Sequence, residues 1–357
     1  MNMRKLIVPS SGIELAYIDS GAPSQEGYLT IFLLHGLFFN GAVFEKVVKL
    51  APDNSIRIVA INRRGYPGST PISQADLLAY SPDATDEARS KFFDERGVEF
   101  LEFIDTFIVN EKLPPISHGD DSEGKPSSTT GGVALLGWSL GCASALTTLA
   151  NIEKVPKPVQ ERVGRNLRGC IFLDPPSILF NVPIPPGLWI PISDVQFDVD
   201  TGASFFAYLI TSYYTHASIN SYSPSTLTHI IPSTHRVPSI FEMTPSQQAD
   251  IITIDEQTKP EVQFLPLWVK QDLEYYEKVC FDREWRKKYF PSLDLTFVVG
   301  EMGPSAAIMS LWRVQADNNK RGGGFVNHKV LKGMNHFPHW DEPQATLDML
   351  KEVVEGK

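Results

Sequence analysis

The residues best suited to chemistry form a five-residue stretch, Gly137-Trp138-Ser139-Leu140-Gly141, with the pattern G-x-S-x-G. An apolar run precedes it, and small residues that can begin a helix follow it. A strand-to-helix turn this sharp strains the serine backbone and brings the flanking residues so close to their neighbours that only glycine avoids a clash. The turn would hold the Ser139 hydroxyl at a helix N-terminus, which favours developing negative charge. The stretch therefore predicts a nucleophilic serine.

Two acidic residues also follow apolar, strand-like runs. Asp174 ends the run "CIFLD", and Pro175 and Pro176 then force an immediate turn. Glu301 stands one residue past the glycine that closes "LTFVVG". A serine hydroxyl is a poor nucleophile at neutral pH, so it needs a base within hydrogen-bond reach and a third group that orients the base. Either carboxylate is a candidate for that third group.

Short apolar runs bounded by Gly or Pro alternate with helical patterns and would position these residues. Buried strands are predicted at residues 29–36, 56–65, 132–139, 169–176, 295–300 and 325–334. A two-stranded ribbon is predicted before them, and helices are predicted at residues 85–110, 141–151 and 344–354. This alternation predicts an α/β fold with a mostly parallel sheet and helices on both faces.

Two segments interrupt the alternation. Residues 114–131 are polar and rich in Ser, Gly and Pro, which predicts a surface loop. Residues 178–291 are rich in Pro, Tyr, Phe, Ser and Thr, and no strand–helix rhythm continues through them. We interpret this second segment, called the insert below, as a mainly helical excursion at one edge of the sheet.

The composition narrows the range of partners. The formal charge is −10 and the pI is near 5.3, whereas nucleic acids and anionic membrane surfaces attract basic proteins. The three cysteines have no metal-ligand spacing, and neither a secretory signal nor a transmembrane run is recognised. These features predict a cytoplasmic protein without a metal, a nucleic acid or a membrane as partner. A homodimer is left open.

Four stretches, taken in order, resemble the α/β-hydrolase family: "LLHGLFFN", "INRRGYPGS", "LLGWSLG" and "GMNHFPHWDEP". The resemblance covers nearly the whole chain outside the insert, with a looser similarity to uncharacterised fungal members. It implies an eight-stranded, mostly parallel sheet flanked by helices. Residues 1–177 and 292–357 would form the core, and residues 178–291 would form a mainly helical lid after the sixth strand.

The same resemblance implies roles for particular residues. His336 occupies the position of the family's catalytic base, with His339 as the competing candidate three residues later. The backbone amides of Leu37 or Phe38, together with that of Leu140, would bind the oxyanion.

The acid departs from the family's common pattern. The family usually carries an aspartate three residues after the glycine that follows the penultimate strand, but Gly303 stands there in this chain. Some members take the acid from the end of the preceding core strand, which corresponds to Asp174. Asp174 is therefore favoured, Glu301 is the alternative, and a chain with no third member also stays open.

The predicted function is serine-dependent hydrolysis of a small or medium apolar ester or lactone through an acyl-enzyme, with no metal or organic cofactor. Epoxide hydrolases and haloalkane dehalogenases of this fold use an aspartate nucleophile, so Ser139 disfavours them. Carbon–carbon bond hydrolases, thioesterases and acyltransferases share the same triad and stay open. Because glycine replaces the family's usual aspartate at position 303, a second functional class also stays open: a barely catalytic protein that binds or steers a biosynthetic small molecule.

Overall fold

An eight-stranded sheet lies at the centre of the computed structural model, which describes residues 2–118 and 129–355. In chain order the strands are β1 (Arg4–Ile7), β2 (Glu14–Asp19), β3 (Leu29–Leu34), β4 (Ile56–Ile61), β5 (Val133–Trp138), β6 (Leu167–Leu173), β7 (Asp294–Gly300) and β8 (Asn327–Leu331). Their spatial order is β1-β2-β4-β3-β5-β6-β7-β8. β2 pairs antiparallel with β1 and β4, and every other pair in the sheet is parallel.

The central strands are apolar because both of their faces are covered. Every residue of β3, β4, β5 and β6 is buried, as expected for parallel strands between two helical layers. β8 lies at the edge of the sheet and is partly exposed. The predicted α/β fold and its mostly parallel sheet are confirmed, with the predicted N-terminal ribbon forming β1 and β2.

Helices connect the strands and cover both faces. Within the described residues they are α1 (Glu45–Leu50), α2 (Gln74–Leu77), α3 (Asp86–Glu111), α4 (Gly141–Ala150), α5 (Lys157–Asn166), α6 (Val199–Ile210), α7 (Pro245–Ile251), α8 (Lys259–Phe264), α9 (Val269–Phe281), α10 (Arg283–Tyr289), α11 (Ser305–Lys320), α12 (Pro338–Asp341) and α13 (Pro343–Glu355). α3 begins where the Thr85 hydroxyl accepts a hydrogen bond from the Ala88 amide, and it ends at Lys112, whose backbone is left-handed.

Separate hydrophobic clusters fill the two faces of the sheet. One cluster includes Phe103 of α3 and Leu146 of α4. The other includes Val47 of α1 and Leu350 of α13. This two-sided burial holds the carboxyl ends of β3, β5, β6 and β7 at one fixed edge, because the strands between the layers cannot shift without opening the core.

The insert follows β6 and contains helices α6 to α10 and, among the described residues, no strand of the sheet. This agrees with the mainly helical insertion expected after the sixth strand. Its last long helix, α9, packs against α4, and Tyr276 and Cys280 of α9 are fully buried in the core. The division of the chain into a core and a separate lid at residues 178 and 291 stays a prediction.

Two further sequence expectations concern surface segments. Residues 119–128 of the predicted loop lie outside the described residues, whereas Ser117–His118 and Thr129–Thr130 on either side pair as a short antiparallel ribbon. Within the described ranges, no helix combines the length and the apolar character that crossing a membrane requires.

Candidate active site

Ser139 lies in the tight turn between β5 and α4. Its φ is 55°, a left-handed conformation that is strained for a residue with a side chain. The Ser139 amide donates to the carbonyl of Leu173, 2.9 Å away on β6, which ties the turn to the neighbouring strand. A Cβ atom at Gly141 would lie 2.1 Å from the Leu34 carbonyl oxygen, and one at Gly137 would lie 2.4 Å from the Gly141 carbonyl oxygen. Both flanking glycines are therefore required sterically, as the motif predicts.

His336 lies in the loop between β8 and α12, beside Trp138. The indole nitrogen of Trp138 donates to the His336 carbonyl at 2.8 Å, and the two rings are 5.1 Å apart. The His336 side chain is buried, and its Nδ1 is 3.1 Å from Oδ2 of Asp174. Because an ionised carboxylate only accepts, Nδ1 carries the proton and Nε2 is left as an acceptor. Nε2 has no hydrogen-bond partner in the described part of the chain.

Asp174 is presented by the end of β6 in a strained turn. Its φ is 48°, and its amide donates to the carbonyl of Val298 on β7 at 2.8 Å. One carboxylate oxygen, Oδ1, accepts from the amide of Gly300 at 2.9 Å, and the other faces His336. The side chain is buried, so these two donors replace the water that an exposed carboxylate would bind.

Glu301 makes a different contact. Its Oε2 accepts from the amide of Gly333 at 2.8 Å, in the turn that follows β8. The structure therefore brings Asp174, and not Glu301, to the imidazole of His336. A Cβ atom at Gly303 would be 3.7 Å from both carboxylate oxygens of Asp174. Position 303, where the family usually carries its acid, and the Asp174 carboxylate therefore lie side by side.

The loop of residues 35–38, called the oxyanion loop below, follows β3 and faces Ser139. The amides of Leu37 and Leu140 have no hydrogen-bond partner among the described residues, and both residues line the same cavity as Ser139. The amide of Phe38, by contrast, donates to the hydroxyl of Tyr66 at 3.1 Å. The geometry thus favours Leu37 and Leu140 as oxyanion donors, and the Phe38 amide is engaged elsewhere.

His35 is a structural residue of this loop. Its Nε2 accepts from the Arg63 amide at 3.1 Å, so its Nδ1 carries the proton and donates to the Gly36 carbonyl at 3.0 Å. Burial, and then the charge of Arg63, hold the pKa of His35 well below its usual value. The ring is therefore neutral and fixes the backbone on either side of it.

His339, the competitor for the role of base, lies in the core. Its ring packs against Trp138 and Phe44, at 4.6 and 4.9 Å. Neither ring nitrogen has a hydrogen-bond partner in the described part of the chain. Burial, followed by the charges of His336 and Lys46, holds the pKa of His339 well below its usual value. No carboxylate among residues 2–118 and 129–355 pairs with His339, and His339 does not line the cavity beside Ser139.

A buried asparagine that the sequence reasoning missed holds the His336 loop. Asn335 donates from Nδ2 to the Thr211 carbonyl and to Ser239 Oγ, both at 2.9 Å, and its Oδ1 accepts from the Phe337 amide at 2.8 Å. Thr211 and Ser239 belong to the insert. The only signal for Asn335 was its place next to His336 in "GMNHFPHW".

A cavity of about 220 Å³ lies between the carboxyl edge of the sheet and the insert. Ser139, Asp174 and His336 all line it. The rest of the wall is mostly apolar and includes the insert residues Ile178, Leu188, Trp189, Phe206, Leu209 and Val262. A mostly apolar cavity with a few convergent polar groups is the usual form of a small-molecule site.

Within residues 2–118 and 129–355, no group of three His, Cys, Asp or Glu side chains is placed to hold a metal ion. The three thiols, Cys142, Cys170 and Cys280, are buried and unpaired. Burial raises the pKa of each of them, so they are protonated, unreactive core residues.

Comparisons with known proteins cover almost the entire chain. The model of the alpha/beta hydrolase family matches residues 31–349. No curated protein matches the chain.

Solved structures share the fold at low sequence identity. An esterase from Exiguobacterium antarcticum is 15% identical with a TM-score of 0.55, and the match covers 98% of each chain. A thermophilic esterase from Thermogutta terrifontis is 16% identical with a TM-score of 0.52, over 99% of this chain and 100% of that one. The epoxide hydrolase CorEH is 12% identical with a TM-score of 0.55, over 99% and 98%. At these identities the similarity shows the fold alone.

Proposed function

Because the chain belongs to the alpha/beta hydrolase family, we propose that it is a serine hydrolase that cleaves a small or medium apolar ester or lactone. One observation carries the proposal. The strained Ser139 and the hydrogen-bonded Asp174–His336 pair line a single, mostly apolar cavity. Retaining such strain in a folded protein is costly, and it is typically found where a function requires it.

The proposed reaction begins with attack of Ser139 Oγ on the substrate carbonyl. His336 Nε2 takes the hydroxyl proton as the new C–O bond forms, and Asp174 stabilises the resulting imidazolium through Nδ1. When the tetrahedral intermediate collapses, the bond to the leaving alcohol breaks and His336 returns the proton to that oxygen. For a lactone, the leaving alcohol stays attached to the acyl group.

The backbone amides of Leu37 and Leu140 would stabilise the negative oxygen. Both are preorganised at the cavity and have no other partner among the described residues. One such donor typically contributes about 10²–10³-fold in kcat. Water then attacks the acyl-enzyme with His336 as the base, the acid is released, and the proton returns to Ser139.

The second candidate is a protein that binds or steers a small molecule without hydrolysis. A displaced His336 or a distant acid would favour it. The 3.1 Å contact between His336 and Asp174 favours the enzyme instead. Hydrolysis of thioesters, hydrolysis of carbon–carbon bonds and acyl transfer would use the same residues, so a panel of substrates is needed to distinguish these reactions.

The substitution Ser139→Ala tests the proposal. We expect it to abolish turnover of short p-nitrophenyl esters and to block covalent labelling by a fluorophosphonate, because both reactions need the Ser139 oxygen. Ser144→Ala, one turn along α4, is the matched control and should behave as the unsubstituted protein. Full labelling of the Ser139→Ala protein would refute the nucleophile assignment.

A further inference from the structure

A buried charged cluster lies directly behind the oxyanion loop. Glu261 Oε1 is 2.5 Å from Arg63 Nη1, and Glu261 Oε2 is 3.0 Å from Arg63 Nη2. The Tyr66 hydroxyl donates to the same Oε2 at 2.9 Å. The Arg63 and Glu261 side chains are only 12% and 4% exposed, so the two charges depend on each other for compensation.

This cluster holds the oxyanion loop at two points. Arg63 Nη2 donates to the Gly36 carbonyl at 3.1 Å, and the Tyr66 hydroxyl accepts from the Phe38 amide at 3.1 Å. Leu37 lies between these two anchored residues, so its amide direction is set by them. Burial, and then the charge of Glu261, hold the pKa of Tyr66 well above its usual value, so the phenol keeps the proton that it donates to Glu261.

The carboxylate that completes the cluster comes from the insert. Glu261 lies on α8, nearly two hundred residues after Arg63, and its neighbour Val262 lines the cavity beside Ser139. The insert also contacts the loop through its backbone, because the Thr253 amide donates to the Phe38 carbonyl at 2.7 Å. The insert therefore reaches the oxyanion loop as well as the cavity wall.

We propose that Glu261 is a positioning residue for the oxyanion donor, acting through Arg63 and Tyr66, and that the insert is consequently a fixed part of the hydrolytic machinery. The inference rests on the proposed hydrolase function. Without the carboxylate, Arg63, whose side chain is only 12% exposed, loses the counter-charge of Glu261, and the Tyr66 hydroxyl loses the acceptor to which it donates. Both side chains then rearrange, and the Leu37 N–H no longer points towards the reacting oxygen.

Glu261→Gln tests this because it removes the charge and keeps the shape. We expect kcat for an ester to fall about 10- to 100-fold, less than the loss of a whole donor, with KM changed less than about threefold. Sulfur accepts hydrogen bonds from the amides weakly, so the matching thionoester gains little from the oxyanion hole. The ratio of ester to thionoester kcat/KM should therefore fall, which a purely structural loss would not cause.

Two further variants complete the experiment. Tyr66→Phe keeps the ion pair but removes the acceptor of the Phe38 amide, and it should lower the same ratio by a smaller factor. Asp19→Asn is the matched control, because it removes the charge from the buried Arg57–Asp19 ion pair at the opposite end of β4. The control should lose stability while keeping the ratio of the unsubstituted enzyme.

The outcomes separate this inference from the proposed function. An unsubstituted protein without Ser139-dependent turnover would overturn both. If the protein is active but Glu261→Gln leaves the ratio of ester to thionoester kcat/KM unchanged, or changes it no more than Asp19→Asn does, the positioning role alone is overturned. If the Glu261→Gln protein does not fold, an unchanged ratio in Tyr66→Phe overturns the role, and a lowered ratio supports it.

Discussion

The carboxylate of Asp174 lies beside position 303, where the family usually carries its acid. Asp174 is delivered from the end of β6, held by the Gly300 amide of β7, and turned towards His336. A Cβ atom at Gly303 would meet both carboxylate oxygens at 3.7 Å, an ordinary contact distance, so position 303 lies directly beside the Asp174 carboxylate. At the scale of single residues, Gly303 and Asp174 therefore belong together: the usual acid position holds a glycine, and the acid beside it comes from β6.

Substitution of the two candidate acids should have unequal effects. Asp174→Asn should lower kcat about 10³- to 10⁴-fold, because an amide cannot stabilise the imidazolium or enforce the required tautomer. Glu301→Gln should change kcat less than about threefold, since its carboxylate contacts the Gly333 amide instead. Steady-state kinetics with one ester checks this, and the reverse order of effects would restore Glu301 as the orienting acid.

The convergence of the two acid positions predicts a rescue. Gly303→Asp in the Asp174→Asn background returns a carboxylate to the vicinity of His336, so activity should recover at least about tenfold over Asp174→Asn. Gly303→Asp alone should instead impair the enzyme, because two carboxylates this close cannot both stay ionised. A side chain at position 303 requires the Gly300 carbonyl oxygen, 3.1 Å from the new Cβ atom, to shift by a few tenths of an ångström. If the double variant is no more active than Asp174→Asn alone, a carboxylate at position 303 cannot take the place of the one at position 174.

At the scale of elements, the insert secures the loop that carries His336. Asn335 is held by Thr211 and Ser239, and the Ser239 hydroxyl also reaches Asp341 Oδ2 at 2.6 Å. Tyr213 donates to the same carboxylate oxygen at 2.5 Å. These contacts complement those of Glu261, so the oxyanion loop and the loop that carries His336 are both tied to segments that follow β6.

Ser239→Ala should therefore destabilise the fold through the loop. It removes one of the two hydrogen bonds that buried Asn335 donates and one of those that the half-buried Asp341 carboxylate accepts. Losing a hydrogen bond typically costs about 0.5–1.5 kcal/mol, and more where a charged group takes part. Ser204→Ala on α6 serves as the control, because it removes an exposed hydroxyl whose one partner among the described residues is the Asp200 carbonyl. Urea denaturation measures both free energies of unfolding. Equal values for the two variants would show that the contacts of Ser239 contribute nothing.

At the scale of the whole molecule, four distant parts of the chain meet at one edge of the sheet. The oxyanion loop, Ser139, Asp174 and His336 follow β3, β5, β6 and β8. Parallel strands bring their carboxyl ends to the same edge, and two hydrophobic layers keep them there. The insert then closes the cavity over that edge.

A buried aspartate on α9 predicts a distinctive pH dependence of the stability of the fold. Asp272 is 2% exposed, and desolvation raises its pKa to about 8. Between about pH 4 and pH 8 the unfolded chain has lost this proton while the folded chain keeps it, so the Asp272 contribution to stability falls as pH rises, by at most about 1.4 kcal/mol per pH unit.

Asp272→Asn should remove this contribution because an amide does not ionise. We expect the stability of Asp272→Asn relative to the unsubstituted protein to increase steadily from pH 5 to pH 8, as measured by urea denaturation at each pH. Glu274→Gln, at an exposed position on the same helix, is the control. A difference that stays constant across this range would show that Asp272 is ionised in the folded state.

Much of the site could be predicted because its signals are local. Ser139 sits in a turn whose glycines are dictated by clashes within a few residues of the motif and with β3. The mostly parallel sheet follows from short, fully apolar runs between helical patterns. His336 was marked by its family position, and the structure separates it from His339 by placing only His336 beside a carboxylate.

The remaining features depend on contacts between residues far apart in the chain. Asp174 and Glu301 both follow buried strands, and the pairings of β6 with β7 and of β7 with β8 direct one carboxylate to His336 and the other to Gly333. Glu261 reaches Arg63 across nearly two hundred residues, which no local pattern encodes. The sequence alone determined the layered fold and the strained turn that carries the proposed nucleophile, because steric clashes and burial act over short stretches. The tertiary structure decided which acid meets the histidine and how the insert holds both loops, because those choices depend on directions in space.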